Sequence, residues 1–272
     1  ECDVLFLVGA RVGDRAVKTP LALEKTTKII HIDIDPAEIG KNIGADLPLV
    51  GDAKLVLQQM TELAKPMKHD EWIAHIKTLG GERKYVEPAK GTVNPRVFID
   101  RLAKKMPANV TVVADVGQNQ IWTCTEYKFR KEGRLLTSGG MGTMGYSVPA
   151  AIGAKMADNS RATVAICGDG AFQMSFMELA TAVQFGVDIK VVVMTNNRLG
   201  MVRELQTNGY HDRQTAVFLD GSPDFIKLAE AYGIPAMRVY DDDTMDKGVE
   251  MLAEHKGICL VEVVVDKDMP TL

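Results

Sequence analysis

The 272-residue chain is 46% apolar and 25% charged with a formal net charge of −4, enough for a sizeable core and without the basic stripe of a nucleic-acid surface. Its four cysteines, Cys2, Cys124, Cys167 and Cys259, form no close pair, which speaks against a zinc site or disulfide framework and for a reducing, cytoplasmic compartment. The longest apolar runs, such as Val191–Met194, are strand-length and well short of the ~20 residues that a membrane span needs.

Acidic Glu1 and Asp3 precede an apolar run, Val4–Val8, that begins almost at once. There is no leader pattern in that opening, and it predicts a fragment of a longer polypeptide starting inside a fold. Further strands are predicted at Lys28–Ile34, Val110–Ala114, Thr163–Cys167, Lys190–Thr195 and Leu260–Val265, with a short one ahead of Val50-Gly51-Asp52. The runs are β-branched, continuously apolar and separated by helical periodicity, so the fold class is α/β with parallel sheets covered by helices. Between residues 61 and 93 the composition shifts to Lys, His, Glu, Gly and Pro, with one helical stretch around Trp72–Leu79. This predicts an interdomain linker over 63–93, dividing a first domain (1–62) from a second (94–272). The second opens with Asn94 as N-cap and Pro95 in the first helical position of a helix running to about Met106.

Three segments of the second domain carry chemistry. Asp115-Val116-Gly117-Gln118-Asn119-Gln120-Ile121-Trp122 follows its first strand, and a glycine-rich stretch, Gly139-Gly140-Met141-Gly142-Thr143-Met144-Gly145-Tyr146, precedes a helix opened by Pro149. The most informative runs from Cys167-Gly168-Asp169-Gly170-Ala171, through a helix predicted over Phe172–Phe185, to Thr195-Asn196-Asn197-Arg198. Both ends of that segment fall at the carboxyl edge of a parallel sheet, where open α/β sheets bind ligands. Gly168 and Gly170 would let backbone N–H groups approach a phosphate. Asp169 with Asn196 or Asn197 offers hard oxygens for Mg²⁺, which takes about six and shares several with phosphate and water. A metal-diphosphate site follows.

The spacing of 27 residues from Asp169 to Asn196, with strand, helix and strand between, resembles the GDG…NN signature of thiamine diphosphate (ThDP) enzymes. The resemblance covers nearly the whole chain and is most detailed to the acetolactate synthases. It implies a diphosphate-binding domain preceded by the latter part of a Rossmann-like middle domain. By resemblance the metal ligands are Asp169, Asn196 and the backbone carbonyl of Arg198, while Val116, Gly117, Gln118, Asn119, Gly170, Ala171, Gly200 and Met201 contact ThDP. Asn119 departs from the family's DVGQHQMW, replacing a histidine; it keeps hydrogen-bonding capacity for a phosphate or substrate oxygen and loses proton transfer near neutral pH. Met144 matches the residue that folds the cofactor into a V, and Gly142 the carbonyl that accepts from its 4′-amino group.

The same resemblance assigns the substrate side. Arg11-Val12-Gly13-Asp14-Arg15 is similar to the family's RFDDR, which makes Arg15 the anchor for the carboxylate of a second 2-oxo acid. Leu205 stands where many acetolactate synthases carry tryptophan in GMVRQW, a position that sorts acceptors. Arg11, Asp33 and Asp52 fall where biosynthetic members hold FAD. The implied reaction condenses pyruvate with pyruvate or 2-oxobutyrate, with loss of CO₂, in a cytoplasmic homodimer or larger assembly with a possible small regulatory subunit. The rivals are another ThDP enzyme, such as sulfoacetaldehyde acetyltransferase, pyruvate oxidase or a 2-oxo acid decarboxylase, and a non-catalytic nucleotide-binding module. The family's activating glutamate lies on an amino-terminal pyrimidine-binding domain that these residues do not match, so the chain by itself is expected to be inactive.

Overall fold

A computed structural model describes residues 2–13, 16–17, 19–79 and 85–271. The chain divides into two compact units, Glu1–Glu82 and Arg83–Leu272. The dividing point falls inside the segment expected as a linker. No helix among the described residues is long and apolar enough to cross a membrane.

In the first unit β1 (Val4–Val8), α1 (Pro20–Glu24), β2 (Lys28–Asp33), β3 (Leu47–Val50), α2 (Ala53–Leu63) and α3 (Asp70–Leu79) follow one another. The strands pair in parallel in the order β1-β2-β3. Val12, Ile29 and Ile43 make a small core, with Leu5, Leu7 and Leu23 packed against it. Asp52 caps α2, its carboxylate accepting from Leu55 N–H at 3.1 Å.

The second unit begins with α4 (Pro95–Lys105), capped by Asn94 Oδ1 on the N–H groups of Arg96 and Val97. It continues through β4 (Thr111–Ala114), α5 (Gln118–Glu126), β5 (Arg134–Thr137), α6 (Ser147–Ala157), β6 (Thr163–Gly168), a single turn α7 (Asp169–Phe172), a 3₁₀ turn at Phe176–Glu178 and α8 (Leu179–Gln184). Then come β7 (Lys190–Thr195), α9 (Gly200–Gly209), α10 (Phe225–Ala231), β8 (Ala236–Val239), α11 (Asp242–Glu254) and β9 (Cys259–Val264). The six strands form one all-parallel sheet ordered β5-β4-β6-β7-β9-β8.

Strand alternation sends successive residues to opposite faces, and each face carries its own core. Val112, Val164, Ile166, Val192, Val261 and Val263 meet Phe98, Leu102, Trp122 and Leu252 from α4, α5 and α11. Val113, Ala165, Cys167, Val191, Val193 and Leu260 meet Ile152, Phe172, Leu179 and Phe225 from α6, α7, α8 and α10. Every residue of β7 is buried, which is why its sequence reads as an unbroken apolar run. The order matters for function. Chain leaving β4 goes to β5 on one side, whereas chain leaving β6 goes to β7 on the other, opening a crevice above β4 and β6.

Two sequence expectations change. The helix predicted over Phe172–Phe185 is broken: α7 ends at Phe172, Ser175 has φ −144°, and helix resumes only through the 3₁₀ turn. Phe172 and Leu179 both stay in the core across the break, and Met174 turns out against Gly145. Strands β5 and β8 were not foreseen; both are four-residue edge strands with mixed burial, too short to give a pattern. The strands that were foreseen agree to within a residue at each end.

Gly248 on α11 tests how tightly the first face is packed. A Cβ there would lie 2.6 Å from Val239 Cγ2 and 3.2 Å from Val261 Cγ1. Gly→Ala inside a helix ordinarily gains roughly 1 kcal/mol, but crowding two stiff β-branched side chains costs about 1–3 kcal/mol. Gly248→Ala should therefore lower the urea midpoint; a raised midpoint would show that β8 yields freely.

Candidate functional site

The crevice holds a cleft, open to solvent, walled by the segments that leave β4, β6 and β7 together with Met144 and the start of α9.

At the end of β6, Asp169 is 2% exposed. Its Oδ1 accepts from its neighbour Gly170 N–H at 2.8 Å, and its Oδ2 from the N–H groups of Asn196 at 3.2 Å and Asn197 at 2.6 Å. Burial pushes the carboxyl up to about 6, with the N–H bonds of Gly170, Asn197 and Asn196 acting the other way. The Gly170 N–H expected to face a phosphate is thus turned onto Asp169, a short carboxylate bonding its own turn. Asn196 lines the cleft, its Oδ1 accepting from Arg198 N–H at 3.1 Å. Asn197 is exposed, with φ +53°, a left-handed turn that asparagine tolerates. Hydrogen bonds from Leu199 N–H to Val217 O and from Leu219 N–H to Asn197 O flank Arg198, keeping its carbonyl out of the bridge to Phe218. The Arg198 guanidinium pairs with Asp220 at 2.7 Å and stacks over Phe218.

The end of β4 supplies Val116, Gly117, Gln118 and Asn119, all on the cleft. Gly117 has φ +147°, and a Cβ there would meet Asn119 Oδ1 at 2.7 Å, so the turn requires glycine. Asn119 does less than expected. Its amide nitrogen donates to the carbonyls of Asp115 at 2.8 Å and Ile166 at 3.1 Å, stapling β4 to β6 and leaving no N–H for a phosphate. Gln118 Oε1 accepts from Asn196 Nδ2 at 3.2 Å. Gly200 lies so close that a Cβ on it would fall 1.9 Å from that oxygen.

Met144 reaches the cleft beside Gly170, its Cε 3.3 Å from where a Gly170 Cβ would stand. Its loop is held by a residue whose role the sequence did not disclose. Asp115, fully buried, accepts from Val116 N–H at 2.8 Å, Gly145 N–H at 3.0 Å and Ser147 N–H at 2.7 Å. One carboxylate thus ties the end of β4 to the loop carrying Met144 and to the first turn of α6.

The cleft brings together Val116, Gly117, Gln118, Asn119, Met144, Asp169, Gly170, Ala171, Asn196, Arg198, Gly200 and Met201. Trp122, Leu199 and Val202 join them; Trp122 stands four residues after Gln118, one turn along α5. Gly142, at φ +65°, sits on the Met144 loop outside the cleft lining. Leu205 is 56% exposed in a neighbouring groove along α9 that shares Val202 with the cleft. In the first unit Arg11, Asp33 and Asp52 follow β1, end β2 and follow β3; Asp33 accepts from Asp35 N–H and Asp52 is a helix cap. Arg15 lies outside the described residues.

Among the described residues no three His, Cys, Asp or Glu side chains converge as a metal cage. A cation here would rely on one carboxylate, an amide oxygen, a carbonyl and the ligand's own oxygens, a set that suits Mg²⁺. Asp169 fits that demand, being buried with only neutral backbone N–H partners.

Residues 115–263 match the profile "Thiamine pyrophosphate enzyme, C-terminal TPP binding domain", and residues 1–60 the central domain of the same enzymes. The chain is 36% identical over 269 residues to the acetolactate synthase large subunit of Lactococcus lactis, covering 98% of this chain and 47% of the relative. It is 38% identical over 277 residues to a probable acetolactate synthase large subunit of Methanocaldococcus jannaschii, with the same two coverages. Against acetolactate synthase isozyme 3 large subunit of Escherichia coli it is 35% identical, covering 98% and 48%. The chain spans about half the length of these curated relatives.

Asp115→Asn sets an amide donor against one of three backbone N–H donors. An unmet buried donor costs about 1–3 kcal/mol, so the variant should lose about that much stability in urea unfolding and expose the 138–146 loop to faster hydrogen exchange. Unchanged exchange there would mean that the loop is held by something else.

Proposed function

This chain belongs to the thiamine pyrophosphate enzymes, and we propose that it is the carboxy-terminal part of an acetolactate synthase catalytic subunit. The observation that carries this reading is the crevice at the switch point, which brings Asp169, Asn196 and Arg198 together with Met144. In this reading the Asp169 carboxylate, Asn196 Oδ1 and the Arg198 carbonyl hold Mg²⁺, and the backbone around Val116, Gly117 and Ala171 receives the diphosphate. The cation also offsets the cost of a carboxylate ionised in a buried site. Gln118 and Asn119 shape the floor. Met144 props the cofactor in its bent form, Gly142 offers a carbonyl to the pyrimidine amino group, and Gly200 and Met201 close the wall toward the substrate.

When bound, ThDP supplies the nucleophilic carbon and the electron sink for decarboxylating one 2-oxo acid and joining it to another. The protein's share is to hold that carbon near its proton acceptor, to clamp the diphosphate and to orient the second substrate, for which Arg15 is the proposed anchor. Mg²⁺ acts here as a clamp and stays away from the reacting carbon. Arg11, Asp33 and Asp52 are proposed FAD contacts; Asp52 would act while still capping α2. A homodimer or larger assembly in the cytoplasm belongs to the same proposal, and the relatives' name "large subunit" favours a small regulatory partner.

The complete enzyme, given pyruvate, ThDP and Mg²⁺, should form acetolactate; acetate or acetaldehyde as the main product would point to another member of the family. Asp169→Ala should abolish Mg²⁺-dependent ThDP binding in an equilibrium titration, Asn196→Ala should weaken it severely and Asn197→Ala less. Asn197→Ala as the most damaging change of the three would reassign the ligand.

Leucine at position 205 offers no aromatic face to sort acceptors by size. Competition between pyruvate and 2-oxobutyrate in the complete enzyme should therefore show little preference, and Leu205→Trp should raise the preference for 2-oxobutyrate.

A further inference from the structure

We propose that Glu204 and the carboxy-terminal segment Val265–Thr271 fix which way the Asn196 side-chain amide faces, acting through Gln118. This rests on the reading of Asn196 as a metal ligand. An asparagine serves a cation only through its oxygen, so an amide turned by 180° presents N–H groups to the ion and repels it. Something must decide the sense of that amide, and a chain of hydrogen bonds on one side of the cleft does so.

The chain starts at a group that can only accept. The Glu204 carboxylate, on α9, receives the Thr271 hydroxyl in a short hydrogen bond and the Thr271 N–H at 3.2 Å. Its Oε2 also receives Gln118 Nε2 at 3.2 Å, and Met269 O takes the same nitrogen at 2.9 Å, with Thr271 Oγ1 at 3.2 Å. All three neighbours accept, so the Gln118 amide can sit only with nitrogen toward them and oxygen away. Turned round, that oxygen would face a carboxylate and a carbonyl and leave them unmet, at a cost of about 1–3 kcal/mol per buried group.

The Gln118 oxygen then meets Asn196 Nδ2 at 3.2 Å. Asn196 must therefore point its nitrogen at Gln118 and its oxygen the other way, where Arg198 N–H donates at 3.1 Å. The polarity set at Glu204 is thus handed through two amides to the proposed ligand. Gly200 leaves room for the link, since any Cβ there would strike Gln118 Oε1. The terminal segment is held for the purpose at two further points: Trp122 Nε1 donates to Pro270 O at 3.1 Å, and Met269 is buried. Neither Glu204 nor Thr271 lines the cleft, so both act as positioning residues.

The test is Mn²⁺ binding to the complete enzyme at saturating ThDP, read from the electron spin resonance of the free ion, alongside thermal melting without metal. Glu204→Ala removes one of the acceptors that set the polarity together with the anchor of Thr271, and should raise the Mn²⁺ dissociation constant about tenfold, the usual scale for an outer partner of a metal ligand. Thr271→Val should raise it about two- to threefold. Glu204→Gln keeps an acceptor oxygen and should bind within about twofold of the unaltered enzyme, a rescue that simple loss of packing does not predict. Mn²⁺ binding unchanged in Glu204→Ala, whatever its melting temperature, overturns the proposal. So does a Glu204→Gln as weak as Glu204→Ala. If Glu204→Ala does not fold, Thr271→Val and Glu204→Gln decide in the same way. An unaltered enzyme that binds ThDP without any dependence on the ion would instead overturn the metal-site reading on which this one stands.

Discussion

Negative charge held away from water, with only backbone N–H groups to meet it, is the constraint around which the second unit is arranged. Asp115 and Asp169 stand at the ends of neighbouring strands β4 and β6, both buried, and each accepts three main-chain N–H bonds. Each carboxylate organises the loops around it. Buried Cys167 between them feels both, burial chiefly and the two carboxylates in addition holding its thiol protonated. Such a pair is costly unless every lone pair is used, which explains why the turns after β4, β6 and β7 are so closely specified.

The sheet order puts those turns together. A ligand above β4 and β6 is reached from three strand ends and the Met144 loop at once, without any long side chain having to cross the crevice. Two dense cores hold the strands in place from either face, so rigidity comes from the middle of the sheet and chemistry sits on its rim. The first unit has the same strand logic on a smaller scale, with three strands and a modest core.

Much of this was legible from residue types because the strands of the inner sheet are continuous apolar runs and the glycines sit where the chain must turn. Gly168-Asp169-Gly170 and Asn196-Asn197 could be read as one site only because strand, helix and strand separate them by a length that returns the chain to the same edge. The break in the helix after Phe172 could not be read, since Phe172, Phe176 and Leu179 also fit an unbroken helical stripe. The sequence offers Asn119 as a cofactor contact, and nothing local reveals that the carbonyls of Asp115 and Ile166 take its N–H groups. Glu204 and Thr271 meet across 67 residues; no periodicity or motif reports a contact of that kind.

Helix α9 divides its labour along its length. Gly200 is locked against Gln118 with no space for a single added carbon, whereas Leu205, about a turn and a half further on, stands more than half exposed beside its own groove. A side chain added at the start of the helix would strike the wall of the cleft, and one exchanged at Leu205 would not. The groove beside position 205 can therefore change its shape and polarity residue by residue while the crowded start of the same helix stays as it is.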